Sequence, residues 1–198
     1  MNIIEKKFQT WTKDLPDRKK YITVFEQIRD IPFAVESKLF FGTNASEQML
    51  KRNKGFCVPK HHLLGLMFLR LKVPVLYHTY SFRWSDLTVA MPAKLKKLAK
   101  EIPLTYHLAC KALIKEKWVF LDATWDAPLK KTGFFVNENW DGETDTKNAV
   151  TPVEEFVSET ISRQKALYEN KLKTYTFSEK LKLTRFSKKL NKWLNGIR

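Results

Sequence analysis

Long hydrophobic runs are missing from this chain of 198 residues. No stretch approaches the roughly 18 uninterrupted apolar residues of a membrane span, so an integral membrane fold is not expected. The opening residues, MNIIEKKFQTW, lack an apolar run followed by a small-residue cleavage site. They do not read as a signal peptide, and the expected location is the cytoplasm. Cysteine is scarce. Cys57 and Cys110 are the two present, and in a reducing compartment they read as free thiols without metal-ligand spacing. The chain also lacks a Gly-rich phosphate loop, an internal repeat and any low-complexity tract, so no cofactor is expected. Acids are scarce at one end. From Lys171 to Arg198 nine Lys or Arg face Glu179 alone, whereas Asn137 to Ser162 carries seven acids against Lys147 alone. The net charge of +15 is therefore concentrated toward the C-terminal end and speaks about partners rather than fold.

What is present is enough apolar and aromatic material, 43% and 13% of residues, to build a core in one compact domain, with or without an appendage. Lys19 to Arg29 reads as a helix with Val24, Phe25 and Ile28 at helical spacing, ended by Pro32. A second helix covers Ala45 to Arg52. After Gly55 comes a helix that opens at Cys57, with Leu64, Met67, Phe68 and Leu71 as its buried stripe and Pro59 in its first turn. Val73 to Tyr80 reads as a strand and Pro92 to Ile102 as a short helix. His107 to Ile114 and Trp118 to Ala123 read as two strands joined by the charged turn Lys115 to Lys117, and Gly133 to Val136 as a further short strand. A polar loop from Asn137 to Pro152 precedes a helix from Val153 to about Lys173. Ser178 to Ile197 is a basic amphipathic helix.

A thiol at a helix start meets unpaired N–H groups and the positive end of the macrodipole, both of which favour the nucleophilic thiolate. Cys57 occupies that place, although a free cysteine is also a common core residue. The stretch YHLACKALIKEKWVFLDATWD adds His107 at the start of one strand and Asp122 at the end of the next, where cross-strand neighbours touch. Cysteine, imidazole and carboxylate are the parts of a cysteine acyl-transfer site: nucleophile, base, and a group that orients the base.

These stretches, ASEQMLKRNKGFCVPKHHLLGLMFLRLKVPVLY and HLACKALIKEKWVFLDATWD, with FEQIRDIPFAV upstream, resemble the transglutaminase-like superfamily of papain-type fold. The resemblance covers Val24 to Asp126. It departs from the family where HLA replaces the common HAW and where His61 stands in place of a small residue. It implies an α+β fold: a helical N-terminal part with Cys57 on its central helix, packed on an antiparallel sheet that carries His107 and Asp122. It further implies a transglutaminase-like domain over residues 1–152, followed by a helical, basic extension over 153–198. The implied activity is acyl transfer on protein or peptide amides through a thioester on Cys57, passed to water or to an amine. A binding module that docks on an anionic partner through the basic C-terminal helix is the alternative.

The other candidates read as structural. His61 lies one turn beyond Cys57 and is poorly placed to take its proton, and a zinc site built from Cys57, His61 and His78 lacks a fourth ligand. His62 shares that position beside the thiol. Cys110 and Trp118 read as core, and His78 as a satisfied neighbour. Trp84, Trp125 and Trp140 pack in the core or line a cleft. The acids from Asp141 to Asp145 lack the ligand order of a calcium loop and read as solvated.

Overall fold

The structure, a computed structural model, describes residues 1–36, 39 and 44–198. Four helices come first: α1 (Ile3–Thr12), α2 (Asp17–Arg29), α3 (Ala45–Arg52) and α4 (Cys57–Arg70). Then follow β1 (Val75–Phe82), α5 (Ala93–Glu101), β2 (Thr105–Ile114), β3 (Lys117–Leu121), β4 (Glu154–Ser158), α6 (Ile161–Lys173) and α7 (Phe177–Asn195). The strands form one antiparallel sheet in the order β3-β2-β1-β4. The fold is therefore α+β. Among the described residues no helix is long and apolar enough to cross a membrane.

The sheet and α4 define the centre. From Cys57 to Gly65 every residue of α4 is buried, because α2 and α3 cover one side and β1 and β2 the other. Gly65 is required there. A Cβ at this position would lie 2.2 Å from the Tyr77 hydroxyl of β1, far inside contact distance. The hairpin between β2 and β3 turns through Lys115 and Glu116, both in the left-handed region (φ 47° and 64°), as a two-residue turn between twisted strands demands. The register Ile114 to Lys117 follows from it.

The structure differs from the sequence reading in three places. Val153 to Lys173 is not one helix: β4 pairs with the free edge of β1, Thr160 caps the next turn, and α6 starts at Ile161. Val153, Phe156 and Val157 fit helical spacing, but the unfilled edge of β1 offers ladder bonds that a helix would forgo. Gly133 to Val136 is no strand. Gly133, at φ 90°, closes a 3-10 turn over Ala127–Thr132, and the residues after it bury Phe134 and Val136 without a ladder partner. Trp118 sits on the edge strand β3 and is 39% exposed rather than core.

Residues from 153 onward, expected as an extension, supply the edge strand and two helices that pack on the same core. Phe186, Leu190 and Leu194 of α7 are buried in it. Polar straps hold α7 as well. The Asn191 amide both donates to the carbonyl of Val35 and accepts its N–H, each at 2.9 Å, as a neighbouring strand would. Arg198 makes a two-pronged pair with the buried Asp126 carboxylate, which itself accepts the N–H of Phe33.

Candidate active site

The N-terminus of α4 is built to leave donors unpaired. Phe56 occupies the cap position without a side-chain cap, and the first intrahelical bond is from the N–H of Lys60 to the carbonyl of Phe56. Cys57 is the first helical residue, so its N–H has no intrahelical acceptor. Pro59, with no N–H to satisfy, stands in the same turn.

β2 and the end of β3 bring His107 and Asp122 to this point. His107 Nε2 donates to Asp122 Oδ2 at 2.8 Å, and the Cys57 side chain is hydrogen-bonded to His107. Cysteine, histidine and aspartate are thus in line, 7%, 2% and 1% exposed. Asp122 is fixed by more than its histidine. Its Oδ1 accepts the N–H of Thr124 at 3.1 Å, its Oδ2 accepts that of Ala149 at 2.7 Å, and its backbone N–H donates to Thr146. The loop expected to be merely solvated therefore has a task, since Thr146 and Ala149 clamp the carboxylate.

Burial works against charge on His107, but the Asp122 charge and hydrogen bond, joined by Cys57, push its pKa up to about 10. Burial likewise opposes charge on Asp122. The charge and hydrogen bond of His107, with His61 and Thr124 beside it, hold the carboxyl well below its usual range. The pair therefore exists at neutral pH as imidazolium and carboxylate.

His61 has a structural place. The N–H of Ala123 can only donate, so His61 Nε2 accepts it at 3.0 Å, and the ring proton sits on Nδ1 and goes to the carbonyl of Cys57 at 2.8 Å. Both nitrogens are used. Burial, against the attraction of Asp122, lowers its pKa to about 4 and keeps it neutral. The ring thus ties the helix start to the strand end that carries Asp122. His62 bonds Gln164 of α6 at 2.7 Å, and burial brings it too to about 4. His78 Nδ1 meets Glu155 at 2.5 Å, away from the thiol. Cys110 is buried, with its thiol pushed well up by desolvation and directed at the carbonyl of His61. Among the described residues no group of histidine, cysteine and carboxylates could hold a metal.

Sequence reasoning missed Lys60. The side chain has no exposure, and its Nζ donates to the carbonyls of Arg29 and Thr124, both at 2.8 Å. Burial lowers its pKa to about 7, against the attraction of Asp126 and Asp30. No sequence signal distinguishes it from the other lysines, because the effect comes from packing alone.

Cys57 and His107 open onto a cavity of about 750 Å³. Trp84 and Trp125 line it, with ring centroids 6.1 Å apart, and Phe33 and Phe186 extend the aromatic wall. Trp140 does not take part. It packs on Phe25 at 5.0 Å in the core. The far wall is made by α6 and α7, with Tyr168, Leu172 and Leu183 facing the thiol side. The sequence reading gave this region a basic surface but no share of the site.

No family profile and no curated protein sequence matches this chain. Among solved structures it is similar to one named "Putative Cysteine Protease from Cytophaga hutchinsonii", at 14% identity and a TM-score of 0.45. The likeness covers 78% of this chain and spans 45% of that protein's length.

Proposed function

We propose that the protein is a transglutaminase-like cysteine acyl-transfer enzyme that acts on amide bonds of proteins or peptides. The observation that carries this reading is the hydrogen-bonded line from Cys57 through His107 to Asp122, at a helix N-terminus that faces a cavity. Sγ of Cys57, as thiolate, attacks the amide carbonyl carbon and forms the S–C bond. The negative charge that develops on the carbonyl oxygen is met by the N–H of Cys57. The imidazolium of His107 gives its proton to the leaving nitrogen as the C–N bond breaks, which leaves a thioester and a neutral imidazole. That imidazole then takes the proton of the incoming water or amine, which displaces the thiolate. Asp122 keeps the ring oriented and stabilises its charged form throughout.

Exposure to a peptide library followed by intact-mass and peptide mass spectrometry tests the reading. An acyl adduct on Cys57 that disappears in His107→Ala is expected. If Cys57 stays unmodified in the folded protein while peptides bind, the chain is the alternative, a transglutaminase-like binding module. The unpaired lysines of α7 favour that second reading.

A further inference from the structure

The cavity has two chemically different zones. Its inner part is a continuous aromatic wall: Phe82 lies 5.5 Å from Trp84, Trp84 5.2 Å from Phe186, and Phe33 4.6 Å from Trp125. Its rim, on α6 and α7, carries Lys173, Lys180 and Lys188, all exposed and none in an ion pair among the described residues, against Glu169 alone. Between the zones, the half-buried hydroxyls of Tyr106 and Ser187 face an otherwise apolar lining. A cavity of 750 Å³ suits a small ligand rather than a folded protein surface.

We propose that this cavity takes a short acidic peptide, with apolar side chains on the aromatic wall next to the reacting amide and carboxylates at the lysine rim. The inference deepens the acyl-transfer reading and, as far as substrate class goes, rests on it. Apolar side chains gain by leaving water on the wall. A peptide main chain supplies N–H and C=O groups for Tyr106 and Ser187, which a hydrocarbon chain would leave unpaired. The three rim lysines attract carboxylates with an energy that is modest for each exposed pair and is screened over about 8 Å at physiological salt. The lysines therefore select by charge, and the wall supplies the affinity.

Binding is measured by calorimetry on the full chain carrying Cys57→Ala, so that turnover plays no part. Three octapeptides are compared: a Leu-Phe-Gln-Leu centre flanked on both sides by two glutamates, the same centre flanked by lysines, and the glutamate flanks around a Gly-Ser-Gln-Gly centre. The acidic apolar peptide should bind at least tenfold more tightly than either other, and the gap to the lysine-flanked peptide should close in 1 M NaCl. Lys173→Gln/Lys180→Gln/Lys188→Gln, all exposed positions, should abolish that gap while leaving the gap to the Gly-Ser-Gln-Gly peptide. Equal binding of the two apolar peptides, or a charge preference that survives the triple substitution, overturns the proposal. Tighter binding of dodecanoate than of the acidic apolar peptide also overturns it, in favour of an anionic lipid. Failure of the catalytic reading is seen separately: the acidic peptide binds, but the unsubstituted protein forms no adduct on Cys57.

Discussion

Replacing Lys60 by methionine separates the cost of a buried amine from the worth of its hydrogen bonds, and pH is the variable that does so. In the folded protein burial brings the Lys60 pKa down to about 7, whereas in the unfolded chain it keeps an ordinary value near 10.4. Between those values the unfolded state binds a proton that the folded state does not. Stability therefore rises with pH across this window, by about 1.4 kcal/mol per pH unit. Below pH 7 both states hold the proton and the penalty is complete; above about 10.4 both have lost it and the penalty is gone. From pH 7 to pH 10 the gain comes to about 4 kcal/mol. Methionine has a similar unbranched shape and no proton to lose. The stability difference between the parent protein and Lys60→Met must therefore carry this slope, while the other titrations cancel. Against it stands a nearly pH-independent loss, since the carbonyls of Arg29 and Thr124 lose their donor at about 1–3 kcal/mol each. The variant should be nearest to the parent at pH 6 and furthest below it at pH 10. Urea unfolding followed by tryptophan fluorescence at four pH values measures this. A difference that stays constant within about 1 kcal/mol from pH 6 to pH 10 would refute the reasoning.

Two further outcomes follow from the site and the core. Asp122→Asn removes the charge that keeps His107 protonated, so alkylation of Cys57 by iodoacetamide at pH 6 should slow by about tenfold or more, as a change of one pKa unit or more implies. An unchanged rate in a folded variant would show that the carboxylate does not set the state of the thiol. The Tyr77 hydroxyl is buried without a partner, so Tyr77→Phe should leave stability unchanged or raise it by about 1 kcal/mol in a thermal or urea melt. A loss of more than about 1 kcal/mol would contradict this account of the hydroxyl.

Local signals made much of this arrangement legible. Gly55, Cys57 and Pro59 mark the start of α4 because cap positions and prolines follow backbone hydrogen bonding, which is local in sequence. The turn at Lys115 and Glu116 was equally plain, since it joins two apolar runs. β4 was not, because nothing within Val153 to Ser158 records that β1, some 75 residues earlier, has an edge to fill. The same reason hid the role of α6 and α7. Their amphipathic pattern says that one face is covered, but not that Tyr168 and Leu183 face a thiol more than 100 residues upstream. His61 lay between the two cases. Its spacing from Cys57 argued against a base, and the bond to Ala123 that explains the residue is a tertiary contact.

The strand order has a consequence for how the protein is made. β1 lies in the middle of the sheet, yet one of its two neighbours is β4, made after every other strand. While a ribosome is still adding residues beyond Ser158, the chain already holds Cys57, His107 and Asp122 but lacks α6 and α7, and the aromatic wall stands open on that side. Pairings between such distant segments form late, because the connecting loop must close before they are rewarded. During synthesis, then, the thiol is present before its enclosure, and the narrow access it has in the finished molecule is the last feature the nascent chain acquires.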